Sequence, residues 1–293
     1  MEAPATTVVL LASLAGLWAR REFGLAPFAV AVLAGLAEGV LLPLGALALG
    51  AFALGAWFHG TGRGGWPLWV ALSFGAAALS LHVVPGFEGW IALGPVSIGA
   101  GAPYEKWLSL DKTGAGLLLI GLALPGIWGS RNWPAMLRGA APFALLAPAL
   151  VASLGLASGA VRWDFTPVPV FFRWAALNLL TTCVAEEALF RGLLQTRLVA
   201  AATARGLSPH PAILVASLVF GLAHFPGGPG LVALATAAGL CYGYAYHRTG
   251  RLEAAILAHF ALNAAHFLFF TYPFPADPLA APDISLPVPL APG

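Results

Sequence analysis

The run from Ala175 to Leu198 has the length and apolarity of a membrane-spanning helix, yet it carries two adjacent glutamates, Glu186 and Glu187, with Arg191 one turn further on. An acidic side chain near the bilayer centre costs about 2.5–3.5 kcal/mol on insertion scales. A chain that places two there has to satisfy them from inside its own fold, so these residues face other helices or a wet cavity rather than lipid.

The rest of the chain fits a membrane setting. Of 293 residues, 59% are hydrophobic and 9% charged, where a soluble domain carries about 25% charged residues. Roughly ten apolar runs, near 6–19, 25–40, 42–57, 66–84, 113–129, 139–157, 174–197, 210–225, 230–246 and 252–271, approach the length that spans hydrocarbon. The expected fold class is all-α, a polytopic transmembrane helical bundle of roughly 8–10 spans. A net charge of +2, spread over loops, excludes a nucleic-acid-binding surface. Cys183 and Cys241 lie in apolar runs and read as packing residues, not as a disulfide framework. The first apolar run is followed by Arg20 and Arg21, the reverse of a secretory signal, and is expected to be a retained helix.

Loop charge orients the bundle. With ten spans and both termini outside, Arg20, Arg21, Arg63, Arg131, Arg138, Arg197, Arg205, Arg248 and Arg251 fall on the cytoplasmic side, against Lys106, Lys112, Arg162 and Arg173 outside. That asymmetry obeys the positive-inside rule. The outer loop from Pro85 to Lys112 holds Trp90, Tyr104 and Trp107 and is expected to lie on the membrane interface as an aromatic belt. Residues 273–293 form a proline-rich segment expected to be exposed.

Three polar motifs follow one another on separate apolar runs. In the first, Glu187 and Arg191 are four apart, share a helix face and can pair. Glu186 lies about 100° around the helix from its neighbour, with nothing local to neutralise it, and is expected to titrate closer to neutral pH, as suits a general base. The second is Phe220-x-x-x-His224, just before Phe225-Pro226-Gly227-Gly228-Pro229, where a helix must stop. The run is too short to cross a bilayer and is expected to turn within the membrane. The third is His259-x-x-x-Asn263, two hydrogen-bonding side chains on one helix face. His266 and Asn178 read as packing or interfacial residues, and Glu38 receives no role.

Each spacing is weak alone, but the ordered set resembles one family. Glu186-Glu187-Ala188-Leu189-Phe190-Arg191-Gly192, then Phe220 to His224, then His259 to Asn263 are similar to the motifs of the CPBP family, which includes type II CAAX prenyl endopeptidases and bacteriocin-processing or immunity proteins. The stretch from Gly239 to Gly250, ending Arg248-Thr249-Gly250, resembles that family's penultimate helix and turn. The resemblance implies an intramembrane protease core over 166–272, preceded by helices over 1–165 of unassigned role. It implies an endopeptidase in which Glu186 and His224 activate water while His259 and Asn263 stabilise the oxyanion, with Glu187, Arg191 and Phe220 in support. Its substrate would be a membrane-associated protein or peptide, with the lipid bilayer as the other partner. A carboxylate and two imidazoles also suffice for zinc, but the three come from separate helices, and the reading without a cofactor is favoured. The alternatives are a non-enzymatic immunity or scaffold protein and a transporter. The lysine-poor, Ala-, Gly- and Pro-rich composition points to a bacterial inner membrane and away from prenylated substrates.

Overall fold

The computed structural model describes residues 3–124 and 132–274. Its elements in chain order are Pro4–Gly16 (α1), Arg21–Ala37 (α2), Pro43–Gly60 (α3), Gly65–Ser80 (α4), Trp90–Val96 (β1), Tyr104–Leu108 (β2), Leu110–Leu118 (α5), Trp133–Ser158 (α6), Phe171–Leu177 (α7), Val184–Glu187 (α8), Thr196–Thr203 (α9), His210–Leu222 (α10), Gly228–Thr249 (α11) and Leu252–Phe269 (α12). Three π-helical segments, Leu119–Ala123, Asn178–Cys183 and Ala188–Gln195, complete the helical stretches. The expected all-α bundle is what forms. One addition is a short two-stranded sheet of β1 and β2 inside the loop expected to lie on the membrane interface. Arg131 and the proline-rich segment beyond Phe274 lie outside the described residues.

By length and composition α3, α6 and α12 can each cross a membrane, and α10 with α11 forms a fourth candidate bent by 61° at its break. Among the described residues these candidates meet the length and composition of a span, while the runs near 113–129 and 174–197 contain π-helical segments. Residues 210–225 and 230–246, taken as two spans, form the single bent pair, and α1 and α4 are shorter apolar helices. In α6 the large side chains Leu137, Leu145, Leu146, Leu150, Leu154 and Leu156 are exposed, whereas the buried positions are Met136, Ala140, Ala147 and Gly155. Small residues inside and leucines outside is the packing of a helix whose surroundings are lipid, since close van der Waals approach replaces the hydrophobic drive there.

The chain divides into two compact units. The first comprises Met1–Gly94, Glu105–Arg131 and Phe172–Leu194, and in it α1 packs on α2, α3 on α4 and α5, and α5 on α8. The second comprises Pro95–Tyr104, Asn132–Phe171 and Gln195–Gly293, and in it α6 packs against α11 and α12, and α10 against α11. Glu38, which the sequence leaves without a role, accepts from the Ala5 and Thr6 amides and the Thr6 hydroxyl. It supplies from a distance the cap that α1 lacks, because Ala3 at its N-cap has no side-chain acceptor.

Candidate active site

In the first unit, Glu186 and Glu187 sit on α8, a single regular turn between two π-helical segments. Such insertions widen the turn and cluster at functional sites. Glu187 and Arg191 are both fully buried and paired, with Arg191 Nε 3.2 Å from Glu187 Oε2 and Nη1 donating to Oε1 at 3.3 Å. The i,i+4 pairing expected from the spacing is present despite the looser winding. Asn178 is buried, and its Oδ1 accepts from the Cys183 thiol at 3.3 Å.

One expectation is corrected here. The sequence suggested that nothing neutralises Glu186, but Lys112 Nζ donates to its Oε1 at 2.6 Å. The partner comes from α5, 74 residues earlier, so no local pattern could reveal it. A second lysine, Lys106 of β2, donates to the Thr182 hydroxyl at 2.7 Å, one turn before Glu186. Burial pushes the Lys106 ammonium down to about 8, repulsion from Lys112 adds to that, and attraction to Glu186 opposes it.

In the second unit, a cavity of about 250 Å³ is lined by Phe220, His224, Tyr242, His259, Asn263 and His266, among mainly small and aliphatic side chains of α6 and α11. His224 sits where α10 ends, with φ −96° and ψ 9°, before the turn Phe225–Gly227. Its Nδ1 lies 2.9 Å from the Phe220 carbonyl oxygen. A carbonyl can only accept, so Nδ1 carries the hydrogen and, in the neutral ring, Nε2 keeps the lone pair. The bend beside it depends on Gly221. A Cβ there would strike the Thr236 hydroxyl oxygen and come within 2.8 Å of the Val232 carbonyl, so glycine lets α10 and α11 touch just before the chain turns.

His259 is buried on α12, with Asn263 one turn further along the same helix. The His259 ring stacks on Tyr242 at a centroid distance of 4.6 Å and meets Phe220 edge-on at 5.8 Å. Phe220 also contacts the His224 ring at 4.8 Å. One phenyl ring thus spaces both histidines. His266 faces the same cavity, with Nε2 donating to the Thr271 carbonyl at 3.2 Å. Tyr242 was not singled out from sequence, although it stands within the Gly239–Gly250 stretch. Among the described residues no group of three or more His, Cys, Asp or Glu side chains is arranged to hold a metal ion, and a catalytic zinc asks for three protein ligands.

Residues 168–265 match the family model described as type II CAAX prenyl endopeptidase Rce1-like. This stretch of the chain is similar to that family. The match spans all three polar motifs and ends just past Asn263. Comparison with curated proteins and with solved structures finds no match. The Rce1-like family is a protease family acting at membranes, and the apolar helices of this chain agree with an integral membrane protein. The Rce1-like segment is shared between the two compact units, with Glu186 in the first and His224, His259 and Asn263 in the second.

Proposed function

We propose that the protein is an intramembrane endopeptidase of the multi-pass bacterial inner-membrane type, hydrolysing a peptide bond of a membrane-associated protein or peptide. The observation that carries this reading is the cavity holding His224, His259 and Asn263 together, with the His224 tautomer set by the Phe220 carbonyl. Glu186 is the general base that takes a proton from the attacking water, and the Nε2 lone pair of His224 is available to orient a water in its own cavity. His259 and Asn263 donate to the oxyanion that develops, a contribution worth about 10²–10³ in rate for one such donor. Collapse of the tetrahedral species breaks the C–N bond, and the departing amine takes the proton back from Glu186. In this reading no metal takes part. A mainly apolar lining suits a hydrophobic substrate segment.

The test is cleavage by the protein reconstituted in liposomes with a panel of membrane-anchored peptides. The account expects cleavage that is lost in Glu186→Ala and in His224→Ala. Cleavage retained in both variants would overturn it. The Lys112–Glu186 ion pair gives a second reading some footing, that of a non-enzymatic immunity or scaffold protein in which this pair is structural. That reading expects Glu186→Gln to leave the cellular phenotype unchanged, whereas the protease reading expects it to be lost.

A further inference from the structure

The family match covers residues 168–265, yet Lys112, which touches the Glu186 carboxylate, lies outside it. Lys112 and Glu186 are both largely shielded, their side chains 25% and 14% exposed. The contact is built from several directions. Lys112 stands in the first turn of α5, and its own amide donates to Asp111 Oδ1 at 2.7 Å. Asp111 is buried and held in turn by the Ser109 hydroxyl and by His82 Nδ1, the latter 2.8 Å from Oδ2. One turn after Lys112, a Cβ on Gly116 would lie 2.5 Å from the Cα and 2.8 Å from the Cβ of Ala185. Two helices therefore meet backbone to backbone at the residue before Glu186, and only glycine permits it. Lys112 and Gly116 are four apart and share a helix face, so this contact fixes the reach of the ammonium. Lys106 anchors the same neighbourhood through Thr182, and Cys183 and Glu187 are further titratable neighbours of the two lysines and Glu186.

An ionised carboxylate among apolar helices gives up its charge by taking a proton unless a cation compensates it. A glutamate that already holds a proton cannot accept one from water. We propose that Lys112 is the positioning residue of Glu186, keeping its carboxylate ionised and fixed at neutral pH, with the Gly116–Ala185 contact setting the geometry. This assigns part of the unmatched first half of the chain to the reaction, and its catalytic sense rests on the reading of Glu186 as the base.

The test is infrared difference spectroscopy of detergent-solubilised protein, in which subtracting the Glu186→Gln spectrum isolates the Glu186 signal in each background. At pH 7 the wild type and Lys112→Arg are expected to show an ionised carboxylate, and Lys112→Met and Lys112→Gln a protonated carboxyl. Where cleavage is measurable, the acid limb of the pH–rate profile is expected to move up by about one to three pH units in the neutral variants and to return in Lys112→Arg. Glu186 still ionised at pH 7 in both neutral variants would overturn the proposal. Titration of the wild type alone also decides it, should those variants fail to fold: a carboxylate ionised at pH 5 supports the role, and one protonated at pH 7 contradicts it. The spectroscopy needs no substrate, so it stands even if the protease reading fails, which retained cleavage in Glu186→Ala would reveal.

Discussion

The imidazole of His259 lies flat against Tyr242, ring centroids 4.6 Å apart and planes inclined by 11°. Stacking fixes the ring plane, and the edge of Phe220 closes a second side. An oxyanion donor is effective only when its hydrogen is already aimed, because reorienting it during the reaction forfeits the gain. Tyr242→Phe keeps the stack and is expected to retain near wild-type cleavage. Tyr242→Ala frees the ring, and a tenfold or greater fall in kcat with little change in KM is expected, read from steady-state cleavage of one peptide.

Arg191 and Glu187 are each fully buried. Removing one partner of such a pair leaves an uncompensated charge and costs about 3–5 kcal/mol. Arg191→Ala and Glu187→Ala are each expected to lower the unfolding temperature in detergent sharply. The double change Glu187→Leu with Arg191→Met removes both charges and is expected to recover much of the loss. A double variant as unstable as the two losses added together would argue against a mutual pairing role.

Lys106 gives a pH signature. Its proton is held less tightly in the fold, at about 8 against an ordinary 10.5. Below pH 8 both folded and unfolded chains carry the charge, and the folded one bears a burial cost of about 3 kcal/mol from this difference. Between pH 8 and 10.5 the unfolded chain binds more protons at this site, so stability rises with pH across that window. Wild type minus Lys106→Met is expected to isolate this rise, and the variant is expected to be the more stable protein at pH 7. Identical pH slopes for the two proteins would remove the basis for the shift.

Zinc chemistry makes an opposite prediction to the one drawn here. Protein purified without added metal is expected to keep its cleavage rate in chelator, with no stoichiometric zinc by elemental analysis. Stoichiometric zinc whose removal abolishes cleavage would reverse the assignment.

Much of this was legible in the sequence because the relevant signals are local. The four-residue spacings of Glu187 with Arg191, Phe220 with His224, and His259 with Asn263 each describe one helix, and the proline–glycine run after His224 marks where the helix stops. What stayed hidden is non-local. Lys112 meets Glu186 across 74 residues, and its approach depends on Gly116, which reads as an ordinary small residue in an apolar run. Glu38 likewise makes sense only beside the amides of Ala5 and Thr6. Apolarity alone also does not register the π-helical interruptions or the 61° bend between α10 and α11. The strands Trp90–Val96 and Tyr104–Leu108 were masked by aromatic residues that equally suit a membrane interface.

The proposed function needs both Glu186 and His224 for cleavage. The direct measurement is a double-mutant cycle on kcat with Glu186→Gln, His224→Ala and the pair combined. Groups that work as a unit are grossly non-additive. The account predicts that the double variant is no slower than the worse single variant. Losses that multiply in full would show two independent contributions, and joint action of the two residues in the reaction would be contradicted.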